Sequence, residues 1–404
     1  MNRRKKMKVV WICHFSNDEI QSLLPLWRSK IEFAPWIPNM LKGFEEREDI
    51  DLYVISPHEY LQRTTKFELK NIKYYFIPYG IPIWHRHWPS FFRLDIFSNH
   101  FMFRRKAKKL IARINPDLVN LIGAENAYYS SSIFDYCRKY PILITIQGFI
   151  SQLKEELPAT LDVRDRIQIE EKILANNINF CGEQDSSSYI AKFNPTHVFF
   201  KYYAPINEAF AQQALKSDPK YDCIYFGTLS KLKGTEEYIK VIAELKKSIP
   251  EVKACIIGPG NPQPFLEIAE HLNCANNIVF AGFSKNQKEL FKQVKAAKVF
   301  LAPPLKERLS MTIREAIFLK VPIVAYATGG IPYINKFDEN IILVRTGDYK
   351  EMARKVKTLL QDDQLRNNLA EKAFSYGINE FGLNVNTERL IAAYKSIISR
   401  NNTI

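Results

Sequence analysis

The chain has 404 residues, 46% hydrophobic and 25% charged, with 15 glycines and 21 prolines. That length gives room for two domains with full cores, and the balance excludes disordered, collagen-like and low-complexity classes. A formal net charge of +14 points toward an anionic partner such as phosphorylated small molecules, anionic lipid or nucleic acid, set against a merely solvated basic surface.

The opening "MNRRKKMKVVWICHFSNDE" imitates a signal peptide, because basic residues precede an apolar run. The run is short and ends in Ser-Asn-Asp-Glu without a small-residue cleavage site, so a buried first strand over 7–13 is expected. Further strands are expected at 50–57, 72–78, 116–123, 141–148 and 178–182, each apolar and bounded by turn residues. Helical patterns lie between them, at "FRRKAKKLIARI" and "SSSIFDYCRKY". Such alternation implies a parallel sheet covered on both faces.

The pattern loosens across 201–222, the expected linker. A second series then places strands at 223–227, 253–258, 277–282, 298–304, 321–326 and 341–345, with helices at 235–248, 263–272, 286–295, 311–320 and 349–361. A last helix is expected over 384–400. The predicted architecture is α/β: two Rossmann-like domains, 1–205 and 220–383, facing across a cleft, with 384–404 packing back toward the first. No segment approaches the roughly 20 apolar residues that span a bilayer.

Six cysteines, at 13, 137, 181, 223, 255 and 274, form no Cys-x-x-Cys and have no paired histidines. A disulfide framework and a metal site are therefore not expected, and a reducing cytoplasm is the simplest compartment.

In the second half "CIYFG" runs into "TLSKLKG" and a helix, a place where backbone N–H groups meet an anion and where Lys231 and Lys233 add charge. No P-loop and no Gly-x-Gly-x-x-Gly fingerprint occurs. "KACIIGPGNPQP" ends a strand in Gly258-Pro259-Gly260, a turn that lets a ligand approach the backbone closely. The "AGF" turn, with Gly282 and Phe283, offers a bed for a flat base. After "KVFLAPP", Glu307 falls in a loop and Glu315 in the second turn of a helix whose N-terminus, Leu309 to Thr312, aims N–H groups at an anion. The plain alternative is a capping box of Thr312 and Glu315, with Glu307 a loop charge.

The motif order Gly-Thr-Leu-x3-Lys-Gly, Ile-Gly-Pro-Gly, Val-x-Phe-x-Gly, Glu-x7-Glu-Ala, Val-Pro-Ile-Val-Ala and Gly-Gly-Ile-Pro resembles the family-4 retaining glycosyltransferases. The resemblance is strongest over 223–345 and weaker before it. It implies the GT-B fold, a nucleotide-sugar donor (UDP- or GDP-linked), no metal and no cofactor. By position it implies that Glu315 holds the donor ribose, that Glu307 stands by the donor sugar, and that Lys233 neutralises the diphosphate with the N–H groups of Leu309, Ser310, Met311 and Thr312. Gly227, Thr228, Lys231, Gly258, Gly260, Gly282 and Phe283 complete the implied donor site.

The sequence departs from the family pattern in places. Thr228 stands where an arginine is common, and Arg308-Leu309-Ser310 replaces a glycine-rich step beside the sugar. In the first half, "CHFSNDE" with Phe15 replaces a Gly-rich turn, and Gln147, before Gly148, occupies a histidine position. Gln147 can bond a sugar but cannot titrate, which suits front-face transfer in which the leaving phosphate takes the proton. Gln147 as an ordinary loop residue stands beside that reading. Glu125 in "GAENAYYS" is a candidate acceptor contact.

Residues 84–114 interleave Trp, Phe, Arg and Lys, a pattern of membrane interfaces, of nucleic-acid sites or of a packed helix pair with a basic face. With donor motifs present, a lipid-linked acceptor at the inner face of the membrane is preferred and nucleic acid is not expected. His85, His87 and His100 lack metal spacing and count with this surface, as does "NRRKK". The expected activity is transfer to a glycan or lipid-linked acceptor in cell-surface polysaccharide synthesis. The rivals are a sugar-nucleotide epimerase or phosphorylase and a non-catalytic nucleotide- or polyanion-binding protein.

Overall fold

Within β1 (Met7–Ile12), Val9, Val10, Trp11 and Ile12 are all fully buried, as a central parallel strand with both faces covered requires. The computed structural model describes residues 6–24, 36–58, 60–81, 88–89, 92–206, 208, 219–283 and 286–401. The chain divides into two compact units, Met1–Pro205 with Asn386–Ile404, and Ile206–Val385. Part of the "NRRKK" stretch, His85, His87 and 209–218 of the expected linker lie outside the described residues.

The first unit adds β2 (Ile50–His58), β3 (Thr65–Leu69), β4 (Ile72–Pro78), β5 (Leu118–Ile122), β6 (Ile142–Thr145), β7 (Asn179–Gly182) and β8 (Val198–Lys201). Their order is β3-β4-β2-β1-β5-β6-β7-β8, parallel throughout except for the β3–β4 pair. β3 and β8 escape the sequence reading because edge strands bury little: "TKFEL" is half-buried to exposed, and "VFFK" is half-buried throughout. The order reverses at β1, whose neighbours are β2 and β5.

The helix Phe101–Ile114 buries Phe103, Ala107, Ile111 and Ile114, spaced by three and four residues. The second expected helix does not form as read. One α-turn, Ala127–Ser130, passes into a 3₁₀ turn, Ser131–Asp135. There Ser132 Oγ donates to the Tyr129 carbonyl at 2.6 Å, the local bonding by which serine competes with a helix. The C-terminal helix Leu383–Asn401 packs on this sheet. Tyr394 Oη accepts from Trp11 Nε1 at 2.8 Å and from Asn120 Nδ2 at 2.9 Å. Asn120 Oδ1 in turn accepts from Thr145 Oγ1 at 2.8 Å. A buried polar chain satisfied in this way fixes one docking position for the helix.

The second unit holds β9 (Tyr221–Phe226), β10 (Ala254–Ile257), β11 (Ile278–Gly282), β12 (Ala297–Ala302), β13 (Ile323–Tyr326) and β14 (Ile342–Val344). The order is β11-β10-β9-β12-β13-β14, all parallel. It reverses at β9, flanked by β10 and β12. The helix Asp363–Phe381 is absent from the sequence reading, because it buries small residues such as Ala370, Ala373 and Gly377 instead of a broad apolar stripe. No described helix is long and apolar enough to cross a membrane.

Candidate active site

Parallel α/β sheets bind ligands beyond the carboxyl ends of their strands, where the strand order reverses. At the β9/β12 reversal lies a cavity of about 230 Å³. Phe226, Gly227, Thr228 and Lys233 line it from the β9 side, Phe300, Ala302 and Pro304 from β12, with Glu307, Ser310, Met311 and Thr312 closing it.

The strand ends are laced by backbone bonds: Gly227 N–H to the Ile257 carbonyl, Leu229 N–H to Pro259 and Gly258 N–H to Gly282, at 2.8–2.9 Å. Tyr225 Oη then gathers the loop, 2.9 Å from the Thr228 carbonyl and 3.3 Å from that of Lys233. Gly234 turns the chain into the helix Thr235–Lys246 at φ +86°, where a Cβ would sit 1.9 Å from the Pro303 carbonyl oxygen. No other residue fits that turn. Lys233 Nζ, so positioned, donates to Glu307 Oε2 at 2.7 Å. Gly329, at φ +55°, backs the Glu307 carbonyl so closely that a Cβ would meet it at 1.6 Å.

The helix Met311–Phe318 opens on Ser310, which makes no side-chain cap hydrogen bond. Its hydroxyl pairs instead with Thr312 Oγ1 at 2.8 Å. The capping box of Thr312 and Glu315 is therefore a misreading: Thr312 is already the second helical residue, so the box would need its carboxylate at position 313. Ser310 leaves the first-turn N–H groups uncapped by its side chain, and uncapped helix N–H groups suit an anion. Glu315 lies one turn further in, half-buried, and accepts from Gln287 Nε2 at 3.4 Å. Burial pushes its carboxyl up to about 7, against the Gln287 bond and the Arg314 charge.

The structure thus brings Glu307, Lys233, Gly227, Thr228, Ser310, Met311 and Thr312 to one cavity. Gly258, Gly260, Gly282 and Phe283 stand at the neighbouring strand ends without lining it; Phe283 is 58% exposed. Leu309 is buried, and Lys231 is exposed near Glu236, whose carboxyl Lys240 chiefly and Lys231 lesser hold low. Tyr225 and Gln287 escaped the sequence reading. Tyr225 looks like one more core residue of an apolar strand, and nothing near Gln287 in sequence marks it.

In the first unit, Glu125 follows β5 beside the β1/β5 reversal. With its amide oriented to satisfy both neighbours, Gln147 donates to Glu125 Oε1 at 3.2 Å and accepts from Trp36 Nε1 at 2.7 Å. Glu125 Oε2 is buried without a hydrogen-bond partner among the described residues. Burial first, then the nearby Glu170 carboxylate, push the Glu125 carboxyl up to about 7, with Arg166 opposing. Gly148 faces open space. Phe15 is a correction: it is 1% exposed and packs on Tyr74 and Phe76 in the core, so it cannot touch an acceptor. His100 is another, being buried and paired with Asp165 Oδ2 at 2.8 Å instead of lying on a basic surface. Among the described residues no three His, Cys, Asp or Glu side chains converge as metal ligands.

Two mainly parallel α/β sheets, each reversing its strand order at its first strand, fit the GT-B class, and solved structures agree on the fold. The sucrose-phosphate synthase of Thermosynechococcus elongatus superposes with a TM-score of 0.72 at 14% identity, over 98% of this chain and 100% of that one. Anabaena HepE in complex with UDP superposes with a TM-score of 0.66 at 14% identity, over 98% and 100%. Residues 206–376 match the family described as glycosyl transferases group 1. That match lies within the second unit, and the chain resembles the family there. The alpha-D-kanosaminyltransferase of Streptomyces kanamyceticus is 26% identical over 175 residues, 43% of this chain and 45% of the relative. The chain thus spans about half the length of the curated relatives it matches, or less.

Proposed function

We propose that the chain is a retaining, metal-independent glycosyltransferase. It moves a sugar from a UDP- or GDP-linked donor to a glycan or lipid-linked acceptor, in cell-surface polysaccharide synthesis at the cytoplasmic face of the membrane. The observation that carries this is the Lys233–Glu307 pair meeting an uncapped helix start in one cavity at the strand reversal, inside the matched segment. The UDP bound by HepE, a protein of the same fold, supports the donor class.

In this reading the first-turn N–H groups of Ser310 to Thr312 and the Lys233 ammonium hold the diphosphate and stabilise the charge growing on it as it leaves. Glu307 keeps Lys233 in place and takes hydroxyls of the donor sugar. Glu315 accepts from the ribose hydroxyls, which suits a carboxylate with one long protein bond. The bond from the sugar to the nucleotide phosphate breaks while the acceptor oxygen bonds the same face. The acceptor proton passes to the departing phosphate oxygen. Glu125 and Gln147 orient the acceptor.

The test is a panel of UDP- and GDP-sugars with purified protein, reading hydrolysis and transfer, alongside Glu315→Ala. Turnover by the native chain with at least a hundredfold loss in the variant is expected. Full activity in Glu315→Ala sinks the ribose role, and no turnover despite a melting shift with UDP or GDP favours the non-catalytic rival.

A further inference from the structure

A second cavity, about 460 Å³, lies in the first unit, and none of the assigned site residues lines it. Its ionisable groups are already paired: Asp95 with Arg93 at 2.9 Å, and His100 with Asp165 at 2.8 Å. What the cavity offers is therefore apolar and aromatic, from Tyr79, Trp88, Leu94, Phe97, Met102 and Phe103. Its size falls in the range of roughly 300–1,000 Å³ typical of ligand sites.

Large apolar side chains stand exposed at and beside it: Phe97 at 77%, Phe101 at 55%, Phe92 at 51%, Leu94 at 46% and Met102 at 43%. Soluble surfaces scatter such residues singly; a contiguous cluster marks a docking site. The same patch continues along the helix Phe101–Ile114, which contains no acidic residue. Arg105, Lys108, Lys109 and Arg113 are exposed there, and the Arg105 guanidinium lies 5.9 Å from the Phe101 ring centre. Positions 101, 105 and 108 share one helix face, so aromatic and cationic groups form a single surface.

We infer that this surface docks on an anionic phospholipid bilayer, with an acyl chain entering the 460 Å³ cavity and the helix cations meeting the phosphates. Charge chooses this occupant. A second copy would bring cations against cations, and a nucleic acid would leave the apolar cavity unfilled. The inference rests on the functional reading only for the acceptor being lipid-linked.

The full chain is sedimented with vesicles of phosphatidylcholine, alone and with phosphatidylglycerol, at low and high salt. Binding is expected on the anionic vesicles and should weaken with salt. Phe97→Ser with Phe101→Ser should lower partitioning more than about tenfold, the weight of two buried aromatic rings. Lys108→Gln with Lys109→Gln should lower it about fivefold per cation. No binding, equal binding to neutral vesicles, or native-like binding by the phenylalanine variant overturns the proposal. So does a dimer, seen by light scattering, that this variant dissociates. Both positions are exposed, and a retained melting shift with UDP certifies folding. Vesicle binding without any melting shift from either UDP or GDP would sink the donor reading and leave the docking surface standing.

Discussion

In the second unit the chain leaves its switch-point strand, β9, through Gly227 and Thr228; in the first it leaves β1 through Cys13, His14 and Phe15. The sheets share parallel topology and a reversal at the equivalent strand. Yet one exit keeps backbone and the Lys233 ammonium at an open cavity, and the other inserts a phenyl ring into the core. The same architecture therefore yields an anion site where glycine leaves room and a closed, aromatic floor where it does not. Each unit also carries one half-buried carboxyl pushed up to about 7, Glu315 and Glu125. Each has an amide donor and an arginine nearby, but Glu125 also keeps one oxygen unbonded and lies near the Glu170 carboxylate.

The sharpest way to break this comparison is Phe15→Ala. A buried ring removed without replacement costs about 3–5 kcal/mol, so the melting temperature should fall steeply while the acceptor KM of the surviving folded protein holds. A changed acceptor KM at unchanged stability would restore Phe15 to the site. Next, Lys233→Ala should reduce kcat/KM about 10²–10³-fold, the scale of losing one preorganised charge-stabilising donor. Melting should barely move, because the ammonium is half exposed and surface pairs contribute little.

The two carboxyls provide a matched pair of pH tests. A carboxyl whose folded pKa stands above its unfolded 4.5 binds its proton longer when folded, so stability falls as pH rises from about 4.5 to about 7 and then levels. The full penalty is on the order of 3 kcal/mol for each. Glu315→Gln and Glu125→Gln should therefore raise the melting temperature at pH 8 and hardly change it at pH 4. Donor affinity separates them: the Glu315 variant should lose it about tenfold or more, and the Glu125 variant should keep it. Equal melting gains at both pH values would show that packing, not ionisation, is responsible. The smallest effect is expected from Tyr225→Phe, about 1 kcal/mol of stability with a few-fold rise in donor KM. An unchanged KM would mean that the loop carrying Lys233 holds its shape without that hydroxyl.

Much of this was legible in the chain alone. Among the described residues, the fourteen strands of the two sheets include every strand expected from apolar runs, and β3 and β8 were lost only because edge strands bury too little to leave an apolar signature. The β9 loop, Lys233, Glu307 and the helix start at Met311 could be assembled from motif order, since a glycine at a strand end and a helix start are local features. Tyr225, Gln287 and Trp36 could not, because each acts through a partner distant in sequence or through a bond from an otherwise ordinary core position.

What the sequence by itself determined is the α/β layering and the series of anion-friendly turns, for both follow from hydrophobic period and from residues that local backbone geometry demands. Only the tertiary structure decided that Phe15 is core and that His100 is tied to Asp165. Burial and long-range pairing settle these, and neither is a property of a residue's neighbours in the chain.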